Sequence, residues 1–438
     1  MQILKKYRLI ILVLMMSINA NASVWDATNQ WNAEWENKYE QWVKANWNIH
    51  VFDTKLRADG SLNPYYGLRT DCADTVYSMR IIYSFENKLP FVVNDPTKKG
   101  NLINNNMSRW DGLSSNDKIK NFLKAMFSIL STRSLPNDTI PVAISREWIH
   151  SGGLILATKV NHHSWTIKDI LSFGIPHLIY HSVAGGATTS TLDERKSWPN
   201  PSWVFQGDQT PQGNAGFRYW KPQSYITDPA WKVPGYSEEQ YRIPLNSWVE
   251  VVQHKLALDK ETDQSLVNRM LGNICDGINS RIKDVKEAID FVNASGNKCM
   301  DYTTYDNYST PSRDHRVYDD MMSLRKSYKQ ILDLNGGRLI DPKLKKQLDK
   351  IYPQISQSAM AEAGSMQVSV VDQNSVCIIS YQTNKKADLA EIKRRMFLGL
   401  ISNNPLDGLL YRWGELKGPS TLAKQCPSWD VWVPDLKE

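Results

Sequence analysis

Tyr65-Tyr66-Gly67-Leu68-Arg69-Thr70-Asp71-Cys72-Ala73-Asp74-Thr75-Val76-Tyr77, continuing through Met79, Ile81, Ile82 and Phe85 to Asn87, Leu89 and Pro90, is a turn followed by a buried helix. Asp71 or Thr70 can cap such a helix, and Asn87 with Pro90 can end it. The positions between are apolar nearly all round, as in a helix with protein on every side. Cys72 falls at its N-terminus, where unpaired N–H groups and the positive end of the helix dipole favour a thiolate. Asp71 and Asp74 oppose this, because nearby negative charge raises a thiol pKa. A nucleophilic Cys72 therefore calls for a histidine brought in from elsewhere as imidazolium.

Outward from that helix, the chain has four further cysteines: Cys275, Cys299, Cys377 and Cys426. Met1 to Ala22 has a short basic start, an apolar run from Leu9 to Met16 and the small-x-small site Ala20-Asn21-Ala22, the make-up of a secretory signal peptide cleaved near Ala22–Ser23. No later run approaches the roughly 20 apolar residues of a membrane span. The expected location is secreted or periplasmic, where cysteines pair. An odd count leaves one over. Pairing near neighbours, Cys275 with Cys299 and Cys377 with Cys426, leaves Cys72 as the free thiol.

At 438 residues the chain exceeds one small core. Its net charge of +6 includes Lys5, Lys6 and Arg8 of the leader, so the mature chain carries +3, which argues against a nucleic-acid partner. Residues 23–60 form an aromatic helical segment. Trp31, Trp35 and Trp42 fall on one helix face near Tyr39, and the expected role of that stripe is docking rather than stacking on sugars. Ser115 to Leu130 reads as a helix. Strands are expected at 140–144, 153–157, 163–167 and 175–182. From 185 to 245 periodicity disappears into a long aromatic loop, expected to shape or cover a site or to pack as an extension. Residues 250–438 read as mainly helical, with an apolar stripe from Val267 to Val292, helices at 317–334, 341–355 and 386–401, and a hairpin around Asp372-Gln373-Asn374-Ser375.

Five of the eight histidines, His150, His162, His163, His177 and His181, lie in the strand region. A cysteine–histidine hydrolase would use Cys72 as nucleophile and His163 as base, with His162 in reserve; His177 or His181, four apart on the next strand, would orient the base. Tyr66, Asp71 and Trp165 flank these groups as candidates for substrate contact. A zinc site on His162 or His163 with His177 and His181 lacks a carboxylate at supporting spacing. A serine hydrolase lacks Gly-x-Ser-x-Gly. No metal or cofactor is called for. The plain alternative for Cys72 is an inert core cysteine; its place at the helix start and its odd parity favour the catalytic reading.

Tyr65-Tyr66-Gly67 followed by Asp71-Cys72-Ala73-Asp74 resembles the nucleophile region of NlpC-type papain-like cell-wall cysteine peptidases, and Gly152-Gly153-Leu154-Ile155-Leu156 followed by His163 is similar in order to their base-bearing strand. Ala73-Asp74 departs from the family's usual Ser-Gly, and the span from Cys72 to His163 implies an insertion around 92–140. His163-Ser164-Trp165 also resembles the His-x-Trp element of transglutaminase-like proteins, without a clear counterpart of their aspartate.

The resemblance implies a papain-like α+β domain over 61–249, with the cysteine helix on an antiparallel sheet, followed by the helical domain 250–438. It implies an exported hydrolase acting on a peptide or amide bond of peptidoglycan, with His177 or His181 as the third polar residue. Acyl transfer to an amine, or a non-catalytic cell-wall or protein-binding module retaining the fold, are the alternatives.

Overall fold

In the computed structural model, residues 23–159, 162–181, 189–368 and 371–429 are described; the expected leader, 1–22, lies outside them. Helix α1 (Ala33–Asn46) precedes α2 (Cys72–Glu86), which starts at the cysteine. Asp71 accepts the Asp74 N–H at 2.9 Å and the Asp74 carboxylate accepts the Asp71 N–H at 2.9 Å, a reciprocal cap that fixes where the helix begins. Asn87 ends it. Every residue from Ala73 to Ser84 is buried, Arg80 among them. Arg80 pairs with Glu36, its guanidinium 3.4 Å from the centre of the Trp31 ring and 4.6 Å from that of Tyr39. Trp31, Tyr39 and Trp42 all meet Tyr83 of α2, at 5.9, 5.1 and 5.4 Å between ring centres. Tyr39 and Trp42 thus dock α1 on α2, in keeping with a docking role, while Trp31, expected on the same helix face, lies before the Asn32 cap and packs from outside the helix.

Helices α3 (Ser115–Ile129) and α4 (Leu135–Asp138) follow the small hairpin β1 (Val92–Asn94) and β2 (Leu102–Asn104). The central sheet consists of β3 (Thr139–Pro141), β4 (Leu154–Ala157), β5 (His163–Ile170), β6 (Pro176–Tyr180), β7 (Asp193–Arg195) and β8 (Gly216–Trp220). It is antiparallel throughout, in the order β3-β8-β4-β5-β6-β7, with α2 packed on β5. Two of these strands correct the expectation of an irregular loop over 185–245. β8 is inserted between β3 and β4, and α5 (Pro201–Phe205) caps the same segment. All five residues of β8 are buried, so no in–out alternation marks it in the sequence. Arg218 is tolerated inside because it donates to Thr139 Oγ1 and to the carbonyls of Thr139, Asn214 and Pro136. At Gly216, φ is +95° and a side chain would run into the Gln240 amide, which bonds both the N–H and the carbonyl of Phe217.

After α6 (Trp248–Leu256) comes the helical region: α7 (Asp263–Ala294), α8 (Tyr302–Tyr308), α9 (Pro311–Asn335), α10 (Pro342–Ile351), α11 (Ala359–Ser365) and α12 (Leu389–Phe397). Val267, Leu271, Ile274, Ile278 and Val285 of α7 are buried against Val317, Met321 and Leu324 of α9 in a core distinct from that around α2. Gly336, at φ +66°, stops α9 as the sequence suggests. The hairpin is displaced from its expected position: β9 (Ile378–Gln382) pairs with β10 (Lys385–Asp388), and Asp388 then caps α12; of the expected first strand, residues 369–370 lie outside the described set. Between α9, α11 and α12, Glu362 sits with both Arg325 and Lys393, all three buried.

The disulfides are Cys275–Cys377 and Cys299–Cys426, which overturns the near-neighbour pairing. Helix α7 runs on through Cys275, so that residue cannot turn back to Cys299 and instead meets the segment leading into β9. Cys72 is the free cysteine. The helical region joins the sheet at β7, where Arg313 of α9 donates to Asp193 at 3.0 Å and Asn273 of α7 bonds both the N–H and the carbonyl of Lys196. No helix among the described residues is long and apolar enough to cross a membrane.

Candidate active site

Cys72 is the first residue of α2, and its helix start is tied to the sheet by Ser164 of β5, whose hydroxyl donates to the Cys72 carbonyl at 2.8 Å. The thiol points to the His162 carbonyl, 3.9 Å away. Burial, and then the charge of Asp71, push the thiol pKa up to about 12, against a smaller pull from the Ser164 and Ala73 N–H groups and the Ser164 hydroxyl. At neutral pH the group is a thiol. Alkylation by iodoacetamide is expected to rise about tenfold per pH unit between roughly pH 7 and 10, without a plateau. A plateau at mildly acidic pH would instead reveal a thiolate–imidazolium pair and contradict this assignment.

Asp74 feels the same crowding. Burial and then the Asp71 charge push its carboxyl up to about 8. The folded carboxyl keeps its proton between the ordinary carboxylate range and that value, while the unfolded one has lost it. Stability is therefore full at the acid end of this window and falls as pH rises through it. Asp74→Asn retains an oxygen to accept the Asp71 N–H and is expected to flatten that decline in urea unfolding from pH 5 to 8; parallel profiles for variant and wild type would refute it.

His163 opens β5. Its ring meets Trp165 at 4.4 Å, Trp203 of α5 at 5.7 Å and Tyr180 of β6 at 6.1 Å. This enclosure, with His181 and Arg195 adding to it, pushes its pKa down to about 3, so the imidazole is neutral. His162 accepts a hydrogen bond at Nε2 from Arg133 Nε at 3.1 Å, and burial and then Arg133 lower its pKa as well. The imidazolium expected beside Cys72 is thus absent at rest from both candidates.

Cys72, His163, Trp165 and Asp71 line one cavity of about 1470 Å³, and His162 borders it. Arg316, Asp319 and Asp320 of α9 and Arg195 of β7 also line it. His181 is buried beneath and accepts the Thr189 N–H at 3.1 Å; Thr189 in turn pairs with Thr70, next to the cap of α2. His177 is not brought in: its Nε2 lies 2.7 Å from Glu194 on β7, and it does not line the cavity. Tyr66 is also away from it, half-exposed, with Lys120 bonded to its carbonyl. Trp203 is one of the aromatics of the 185–245 stretch weighed as shaping a site, whereas Arg195 and Arg316 carry no such signal in the sequence. Trp203 and Arg195 belong to the stretch read as a loop, and Arg316 to a helix with no catalytic spacing.

Among the described residues no group of three or more histidine, cysteine, aspartate or glutamate side chains is placed to hold a metal. No family model, curated protein or solved structure matches the chain. The likeness to NlpC-type and transglutaminase-like proteins rests on the quoted residues alone.

Proposed function

We propose that the chain is an exported cysteine hydrolase of papain-like type, cleaving a peptide or amide bond, with peptidoglycan as the substrate that the resemblance implies. The observation that carries this reading is that the one unpaired thiol, at the start of a buried helix, opens on the same cavity as His163. Two export-compatible disulfides and the absence of a membrane-spanning helix among the described residues support an extracellular or periplasmic setting, in keeping with the leader.

A neutral thiol and a neutral imidazole suit general-base attack. As Cys72 Sγ bonds to the amide carbonyl carbon, its proton passes to His163; the resulting imidazolium protonates the leaving amine as the C–N bond breaks. Water, deprotonated by His163, then hydrolyses the thioester and restores the thiol. The Cys72 N–H at the helix start would help hold the oxyanion. Of the two orienting candidates His177 is taken by Glu194 and does not line the cavity, which leaves His181, whose Nε2 accepts the Thr189 N–H.

The lack of a resting ion pair favours one competing reading, a binding module without turnover. Release of amines from purified sacculi, with and without an added amine acceptor, decides between them. Product with water alone supports hydrolysis, product only with the acceptor indicates acyl transfer, and binding without product leaves the module.

A further inference from the structure

We infer that the helical region binds a small monovalent anion, of the size of chloride, between the guanidinium groups of Arg281 and Arg412. Both side chains are enclosed, at 1% and 0% exposure. Arg281 of α7 donates from Nε and Nη2 to Asp314 at 2.6 and 3.2 Å, and from Nη2 to the Ser402 carbonyl at 2.9 Å. Among the described residues Arg412 makes a single bond, from Nη2 to Thr310 Oγ1 at 3.0 Å, and that hydroxyl donates onward to Asp314 at 2.9 Å. This shared anchor brings the two guanidinium groups together. Arg281 Nη1 and Arg412 Nε and Nη1 are left buried without an acceptor among the described residues, as is Nε1 of the adjacent Trp413, whose ring centre is 4.8 Å from the Arg281 guanidinium.

The carboxylates facing this pair do not meet the need. Asp314 is taken by Arg281 and Thr310, and Asp407 accepts from Ser402 Oγ at 2.5 Å and from the Ser420 N–H at 2.6 Å. Among the described residues neither makes an ion pair with Arg412. Burial, and then repulsion from Arg281, push the Arg412 guanidinium down to about 9. The character of the orphaned atoms separates an anion from a water molecule. Guanidinium and indole N–H groups only donate. A water accepting from them would still need acceptors for its own two protons, whereas an anion accepts from every side.

The test uses the purified protein with both disulfides intact. In crystals grown with sodium bromide replacing chloride, a bromide anomalous peak is expected within hydrogen-bond reach of Arg281 Nη1 and Arg412 Nε. Water-sized density there without that signal overturns the assignment. In solution at fixed ionic strength, Tm is expected to rise when gluconate is replaced by chloride, and Arg412→Met to lose that response. Identical wild-type melting in the two salts would also overturn it, whether or not the variant folds.

Discussion

Cys72→Ala is expected to lower amide-bond turnover by on the order of 10⁴ or more, leaving the unfolding midpoint within about 1 kcal/mol of wild type. The two parts of this expectation have different origins. Sγ donates weakly to the His162 carbonyl and receives only a small pull from the Ser164 and Ala73 N–H groups, so removing it leaves no charge unsatisfied, and Ser164 still holds the helix start through the backbone carbonyl of residue 72. Catalysis by contrast has no substitute nucleophile at that place. Cys72→Ser tests the same point from the other side, because a hydroxyl keeps the shape but is far harder to deprotonate by a neutral imidazole. Initial rates of amine release from sacculi, matched to urea unfolding of the same preparations, measure both. A variant that folds and still turns over at a tenth of the wild-type rate would remove Cys72 from the chemistry.

The largest loss of stability is expected from Glu362→Ala, about 3–5 kcal/mol in urea unfolding. Glu362 is fully enclosed and is the carboxylate shared by Arg325, 2.9 Å away, and by Lys393. Truncating it leaves two buried cations facing each other. Arg325 keeps carbonyl partners at Ile355 and Gln357, and Lys393 keeps that of Ile351, but both lose the carboxylate they share. Lys393→Met in the Glu362→Gln background removes one cation with the anion and is expected to recover a good part of the loss. A Glu362→Ala midpoint within about 1 kcal/mol of wild type would show that these charges are reached by water or other partners.

What could be read from the sequence and what could not divide along a physical line. Helix α2 was legible because its signals are local: a capping aspartate, a run of apolar positions and an asparagine stop. The strand of His163 was legible for the same reason, and so was the parity that leaves Cys72 free. β8 was not, because a strand buried on both faces with an arginine in its middle carries neither alternation nor a clean apolar run. The disulfide partners were not, because they depend on how α7 and β9 pack, and sequence proximity carries no such information. At the site, two histidines four apart looked equivalent, yet Glu194 from an unforeseen strand takes His177 while His181 lies beyond the end of β6 against Thr189. The protonation states were also beyond the sequence. For His163 they follow from enclosure by Trp165, Trp203 and Tyr180, which come from separate elements; for Cys72 its own burial, and then the Asp71 charge, outweigh the helix-dipole argument made for the thiolate.

The two disulfides alternate along the chain, Cys275 to Cys377 and Cys299 to Cys426, so that each bridge closes a loop containing one end of the other. Any single backbone cut between residues 275 and 426 is therefore spanned by at least one bridge. A protease that nicks the turn at Gly296, or the stretch leading into β9, would leave two fragments that travel together until reduced. The same alternation sets an order on biogenesis: the second bridge cannot close until Cys426 has left the ribosome. The helical half can thus be fully locked only after Cys426 has been made, while the half carrying Cys72 contains no bridge and is free to assemble earlier.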